Sequence, residues 1–102
     1  MKTYYVYIIR CANDSFYVGI TNDIERRIME HNLGEDKSAY TYSRRPVKLV
    51  WSEYYNDVNQ AIEKEKQLKG WSRKKKQALV DGDFDLLVHL SKSKKNPSTS
   101  SG

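Results

Sequence analysis

Glu65 interrupts an apolar stripe. At about 100° per residue, Val58, Ala61, Ile62 and Leu68 fall on one side of a helix beginning near Asp57. Glu65 lies in the middle of that side, whereas Glu63 points away. A carboxylate turned towards a core must be paired, bound to a cation or protonated, because burying it alone is costly. One reading is an ion pair with a nearby Arg or Lys. The other is a ligand for a hard cation such as Mg²⁺, which needs one or two carboxylates and completes its shell with water and phosphate oxygens.

Arg27 and His31 raise a similar question. In the helix TNDIERRIMEHNLG, Ile24 and Ile28 define an apolar stripe, and Arg27 and His31 project on the same side, one turn apart. Arg26 points nearly opposite, although Met29 and Leu33 lie nearer to it. The pair is either a shared phosphate site or two surface side chains.

Tyr5, Tyr7 and Tyr17 belong to what reads as one hairpin, YVYIIRCANDSFYVG. Side chains alternate with a period of two, so Tyr7 and Tyr17 share a face only across an odd-length loop or a bulge. A two-residue Asn13-Asp14 turn puts them on opposite faces. The expectation is a three-residue loop, Ala12 to Asp14.

The elements that carry these residues are legible. Residues 4–10 and 15–20 are rich in β-branched and aromatic types, as strands are. Asn22 with Glu25 resembles a capping box opening the first helix, and Gly34 suits the position beyond its end. Residues 34–46 are polar and aperiodic and read as a loop. VKLVWSEYY, residues 47–55, is a third strand. Asp57 with Gln60 opens the second helix, which runs to about Lys69 and stops at Gly70; Ser72 caps a third, RKKKQALV. DFDLLVHL, 83–90, reads as a short helix or an edge strand, and 91–102 has the composition of a disordered tail. The order β-β-α-β-α-α predicts an α/β fold of the α+β type: a small three-stranded antiparallel sheet flanked by helices, in one domain over 1–90.

A chain of 102 residues supports one modest core. No apolar run approaches the roughly 20 residues of a membrane span, and MKTYYVYIIR lacks the features of a signal peptide. Cys11 is the single cysteine, which excludes an internal disulfide and a cysteine-based zinc site. These features point to the cytoplasm. The formal charge is +5, and its distribution matters more than its size. Lys64, Lys66, Lys69, Arg73, Lys74, Lys75 and Lys76 crowd one stretch, with Arg44 and Arg45 in the loop before the third strand. Such charge attracts phosphate without choosing a sequence, or is simply a basic surface.

Taken together these residues resemble the GIY-YIG nuclease family. Tyr5-Val6-Tyr7 and Tyr17-Val18-Gly19 stand where the name-giving tripeptides belong. ITNDIERRIMEHN is similar to the family's first helix, and AIEKE carries a glutamate at the expected place on a later one. RRPVKLVWSEYY and GWSRKKKQAL resemble segments of small stand-alone bacterial members. The likeness spans roughly residues 4–80.

The resemblance implies an endonuclease that hydrolyses phosphodiester bonds, most simply in DNA, with little sequence specificity and a place in DNA repair or recombination. It makes Tyr7 and Tyr17 the active-site tyrosines, Arg27 the catalytic arginine, His31 its neighbour in the site and Glu65 the ligand of one Mg²⁺ or Mn²⁺. Lys69, Arg73, Lys74, Lys75, Lys76, Arg44 and Arg45 are the expected nucleic-acid contacts. Tyr5 takes a glycine position, Ile20 stands where the excinuclease branch has a lysine, and Gln77 lies where some members keep an asparagine. The expected assembly is a monomer or weak dimer, with specificity supplied by a partner protein. The alternatives are a module on the same fold that binds nucleic acid without cutting it, and a protein-interaction domain with a basic surface.

Overall fold

The computed structural model describes residues 2–100, except the side chains of 93–100. Its elements are β1 (Tyr4–Arg10), β2 (Phe16–Thr21), α1 (Ile24–Leu33), β3 (Lys48–Tyr55), α2 (Val58–Lys69), α3 (Arg73–Asp81) and α4 (Phe84–Ser100), with a 3-10 turn at Tyr42–Arg44. The order and the antiparallel sheet are those expected, and the stretch read as helix or edge strand is the helix α4. The expected tail, 91–102, overlaps α4 as far as Ser100, while its side chains from 93 onwards, and Ser101 and Gly102 entirely, lie outside the described residues. The chain divides after Gly70 into two compact units.

In the first unit the sheet order is β2-β1-β3. β1 is central and apolar on both faces, so Val6, Tyr7, Ile8 and Ile9 are all 1% exposed or less. Tyr7, Ile9, Cys11 and Val47 form one cluster, against which Tyr17 and Ile28 of α1 pack. The opposite face of the β1–β2 pair carries the buried Val6, Ile8 and Val18. α2 lies against all three strands and fully buries Ala61 and Leu68. β3 pairs with β1 through a bulge, since Ile8 faces Trp51 but Ile9 faces Leu49, leaving Val50 as the extra residue.

The β1–β2 connection is the odd loop. Arg10 pairs with Phe16, Cys11 N–H donates to the Ser15 carbonyl at 2.8 Å, and Asp14 N–H donates to the Cys11 carbonyl at 2.8 Å. Asp14 takes the left-handed conformation at φ 73°, which suits the last position of a three-residue hairpin loop and which Asp tolerates better than most residues. Asn13 Oδ1 accepts from Ser15 N–H and Ser15 Oγ, fixing the turn.

The helix ends follow their punctuation, with one correction. The N-cap of α1 is Asp23, whose carboxylate accepts from Arg26 N–H, and not Asn22. Asn22 instead accepts from Arg26 Nη2 at 3.2 Å. Gly34 closes α1 at φ 69°, Asp57 caps α2 and Ser72 caps α3. Asn32 near the end of α1 clasps the main chain before β3: its amide donates to the Val47 carbonyl at 3.1 Å and accepts from Val47 N–H at 2.7 Å. This clasp fixes one end of α1 against the sheet.

In the second unit α3 and α4 pack together. The first turn of α3 carries no acidic residue and four cations, Arg73 to Lys76, the wrong sign for the positive end of a helix dipole.

Candidate active site

The hairpin register places the two tyrosines. Tyr7 pairs with Gly19, and Ile9 with Tyr17, so Tyr7 and Tyr17 are neighbours on one face with ring centroids 6.5 Å apart. Gly19 is required here by close approach. A Cβ at that position would sit 2.5 Å from Tyr7 Cζ and 3.0 Å from Cε2. The Tyr7 ring therefore lies flat across β2 and carries its hydroxyl towards α1.

There it meets His31. Tyr7 Oη lies 3.1 Å from His31 Nε2, and His31 Nδ1 lies 2.8 Å from Thr41 Oγ1. All three residues are buried, His31 at 5% exposure. Tyr17 packs edge-on against the imidazole at 5.5 Å. Burial, with the positive charge of Arg27 beside it, holds His31 below its ordinary pKa, while Glu30 opposes the shift. The imidazole is therefore neutral around pH 7.

Arg27 shares the inward side of α1 with His31, as the spacing implied. It donates to Glu30 Oε1 at 3.1 Å, and its positive charge lies close enough to the Tyr7 hydroxyl to act on its titration. Glu30 is bridged in addition by Arg26 at 3.6 Å. Burial pushes the Tyr7 phenol above its ordinary value; Arg27 pulls the other way, and the nearby charges of Tyr17 and Glu65 add to the rise. Burial acts to lower Arg27, but the neighbouring Tyr7 and Glu30 outweigh it and the guanidinium is raised.

Glu65 faces inward, with 19% of its side chain exposed, and pairs with Lys69 at 3.3 Å. Among the described residues no group of three His, Cys, Asp or Glu converges. One shielded hard oxygen donor of this kind fits an ion that keeps water and takes its remaining oxygens from a bound phosphate. A cavity of about 170 Å³ adjoins the site. Its walls include Arg27, His31 and Thr41 but also Glu30, Glu35 and Asp36, and exclude Tyr7, Tyr17 and Glu65. Three carboxylates repel a phosphate, so the tyrosine side of Arg27 is the better place for one.

The loop before β3 supplies residues that its polar sequence did not announce. Tyr40 stacks on Tyr17 with centroids 5.9 Å apart and planes at 19°, and donates to Ser15 Oγ at 3.0 Å. Arg44 lies over the Tyr40 ring at 3.8 Å and also donates to the Tyr40 carbonyl. Its own carbonyl accepts from Ala12 N–H at 2.8 Å, tying this loop to the hairpin. Arg45 covers Tyr42 at 4.4 Å and donates to its carbonyl.

The basic residues thus divide. Arg44 and Arg45 are laid on aromatic rings, and Lys69 is on Glu65. In the second unit Arg73 and Lys74 are exposed and Lys76 is half-buried. Lys75 is buried, with its ammonium 4.4 Å from the Trp71 ring centroid, and does not lie on an open basic face. Gln77 donates to Asp81 at 2.9 Å.

Residues 3–78 match the model of the GIY-YIG catalytic domain. The chain belongs to the GIY-YIG family. Its relatives include the UPF0213 protein HQ_3675A of Haloquadratum walsbyi, 42% identical over 83 residues that cover 81% of this chain and 92% of that one. The UPF0213 protein SSP2268 of Staphylococcus saprophyticus is 41% identical over 80 residues, 78% of this chain and 96% of its own. Two solution NMR structures share the fold. EF2693 of E. faecalis superposes with a TM-score of 0.57 at 34% identity, over 84% of this chain and 90% of that one. The UPF0213 protein BH0048 of Bacillus halodurans gives 0.52 at 40%, over 78% and 83%.

In this GIY-YIG domain the two tripeptides are neighbours across β1 and β2. The tyrosine that ends the first, Tyr7, pairs with the glycine that ends the second, Gly19. The glycine makes room for the phenol, and the tyrosine that opens the second tripeptide, Tyr17, flanks it.

Proposed function

We propose that this GIY-YIG domain is a divalent-metal-dependent endonuclease that hydrolyses phosphodiester bonds in DNA with little sequence preference of its own. The convergence of Tyr7, Tyr17, Arg27 and His31 on one point, within the electrostatic reach of Glu65, carries the reading. Four groups from three elements meet there, and packing requires none of them to be polar.

Phosphodiester hydrolysis needs an activated water and positive charge where negative charge accumulates. Arg27 supplies a planar fork matched to two non-bridging oxygens. Tyr7 takes the proton of the attacking water as its own proton passes to His31 Nε2, 3.1 Å away. The new P–O bond forms as the bond to the 3′-oxygen breaks; the leaving oxygen takes a proton from solvent water, and His31 later returns its own to solvent. Tyr17 walls the imidazole and limits water around it. Glu65 would hold a single Mg²⁺ or Mn²⁺, taking it in exchange for the Lys69 ammonium. Such an ion supplies Lewis-acid stabilisation of the phosphate and a field that favours the Tyr7 phenolate.

Arg73 and Lys74 add sequence-independent attraction for phosphate, and their place at the positive end of α3 makes an anion there favourable. One such site per chain cuts one strand, so duplex breaks call for a second copy, two successive nicks or a partner protein.

Purified protein offered single-stranded, duplex and branched DNA and RNA, with Mg²⁺ or Mn²⁺, tests the proposal. Cleavage by wild type that is lost in both Arg27→Ala and Glu65→Gln supports it. Salt-sensitive binding with no product under any condition supports the non-cleaving module instead. A Glu65→Gln protein as active as wild type removes the metal assignment.

A further inference from the structure

We propose that Tyr40 and Arg44 form a stacking site for one unpaired nucleotide of a nucleic-acid strand, the ring taking the base and the guanidinium the phosphate. Its place beside the scissile bond rests on the nuclease reading; the stacking site itself does not.

The loop before β3 extends the tyrosine site outwards. Tyr17 belongs to both, with its ring centroid 6.5 Å from that of Tyr7 and 5.9 Å from that of Tyr40. The planes of Tyr7 and Tyr17 are tilted by 45°, whereas those of Tyr17 and Tyr40 differ by 19°. Only the second pair is stacked. Tyr40 is nonetheless 41% exposed. Arg44 lies over its ring, 3.8 Å from the centroid and close to van der Waals contact. Neither residue lines the cavity that Glu30, Glu35 and Asp36 make unfavourable to phosphate.

A clasp between this loop and the hairpin accounts for part of the arrangement. The Tyr40 hydroxyl donates to Ser15 Oγ at 3.0 Å, and the Arg44 carbonyl accepts from Ala12 N–H at 2.8 Å. Neither tie uses the guanidinium. It turns back on its own loop to donate to the Tyr40 carbonyl, and its Nε is buried with no hydrogen-bond partner among the described residues. A buried donor left unpaired costs free energy, which offsets the cation–π attraction holding the side chain on the ring. Leaving the ring opens Nε to a new acceptor, and the planar fork suits phosphate oxygens. The ring face so uncovered takes a base in place of the guanidinium.

A base inside a duplex has both faces covered by its neighbours. Side chains stack on bases that are splayed out of a helix, and such stacking accepts any base. The substrate class is therefore a strand with at least one unpaired nucleotide, as in a gap, a bulge, a flap or a single strand. Because Tyr17 is shared, that nucleotide adjoins the phosphate held by Arg27.

Binding measured without divalent metal, so that nothing is cut, tests the site. The probes are a DNA duplex carrying one unpaired 2-aminopurine and the same duplex fully paired. Wild type is expected to bind the unpaired form on the order of tenfold more tightly and to quench its fluorescence. Tyr40→Ala should abolish the preference and the quenching, and Tyr40→Phe, which keeps the ring, should recover both. Since Tyr40→Ala also breaks the clasp, Arg44→Ala supplies a second reading with both ties in place: the slope of log K against log salt should fall by about 1 for the unpaired form. Equal binding of the two duplexes without quenching overturns the proposal. So does a Tyr40→Ala protein that keeps the preference, or an Arg44→Ala protein with the wild-type slope. With Mg²⁺ or Mn²⁺ added, cuts should fall next to the unpaired nucleotide. Absence of cutting with the binding preference intact counts against the nuclease reading alone, so the two failures are separately visible.

Discussion

Gly19 lies directly across the β1–β2 pair from Tyr7, and the space that a side chain would take at 19 is filled by the Tyr7 ring. Alanine at 19 must therefore displace the phenol, which is itself packed at 1% exposure. Gly19→Ala should cost about 1–3 kcal/mol in stability, as overpacking does. It should also weaken the Tyr7–His31 bond. Chemical denaturation and the His31 ring resonances report the two effects, and an alanine protein with wild-type stability and spectra would show that the ring can yield.

Arg27 and Glu65 bear on charge rather than on packing. Arg27→Ala and Glu65→Gln should leave the circular dichroism spectrum and the melting temperature near wild type, because the ion pair of the 40%-exposed Arg27 contributes at most about 1 kcal/mol and Gln keeps the shape of the inward-facing Glu65 without its charge. Cleavage should fall by roughly a hundredfold or more, the usual loss when a group that stabilises transition-state charge is removed. Loss of fold in both variants would make them structural residues.

Asn32 is a joint. Asn32→Ala removes two bonds at 3.1 and 2.7 Å and leaves the Val47 main chain unpaired beside a buried side chain. The expected loss is about 1–3 kcal/mol, read as a shift of the denaturation midpoint at constant slope. Asn32→Asp should recover only the bond from Val47 N–H.

His31 and Tyr7 give stability opposite dependences on pH. Burial keeps His31 below its ordinary value of 6.5, so the folded state takes up that proton less readily than the unfolded chain. Stability present above 6.5 should be lost as pH falls from there through the lower, folded value. Tyr7 is raised above 10.0, chiefly by burial, so its contribution is intact below 10.0 and lost as pH rises through the higher, folded value. Denaturation midpoints followed across each window, with His31→Gln and Tyr7→Phe flattening the respective arm, check both signs. Cleavage should level off by about pH 7.5 if Tyr7 hands its proton to His31, whereas a climb into the alkaline range would mean that a Tyr7 phenolate acts as the base without the relay.

Salt dependence reads the exposed cations. Arg73→Ala and Lys74→Ala should each reduce the slope of log K against log salt by about 1 for bound DNA. Lys75→Ala should instead lower stability, since its stem and ammonium lie against Trp71. Equal effects of all three on DNA affinity would return Lys75 to the binding face.

The site was legible where its geometry follows from counting. Strand parity put Tyr7 and Tyr17 on one face, and helical spacing put Arg27, His31 and Glu65 inward. Caps marked α2 and α3, and Asp23 displaced Asn22 because either Asx residue can serve and only one reaches Arg26 N–H. The stretch 35–46 was not legible, since its aromatic and hydroxyl side chains follow no period and find partners far along the chain. Tyr40 against Tyr17 and Thr41 against His31 are contacts of that kind. The burial of Lys75 had a signal, because Ala78 and Leu79 three and four residues on share its side of α3, but a run of cations obscured it.

The hairpin between β1 and β2 spends three residues on its reversal, and the third is wound left-handed. Its composition is free to drift so long as that last position accepts the winding. Its length is not. A deletion or insertion of a single codon between Cys11 and Ser15 would send the second phenol through to the far surface of the sheet, whereas the same change in the stretch after Gly34 is tolerable only where it leaves Tyr40 on Tyr17 and Thr41 on His31. Drift in this lineage is thus constrained by arithmetic at one loop and by chemistry at the other.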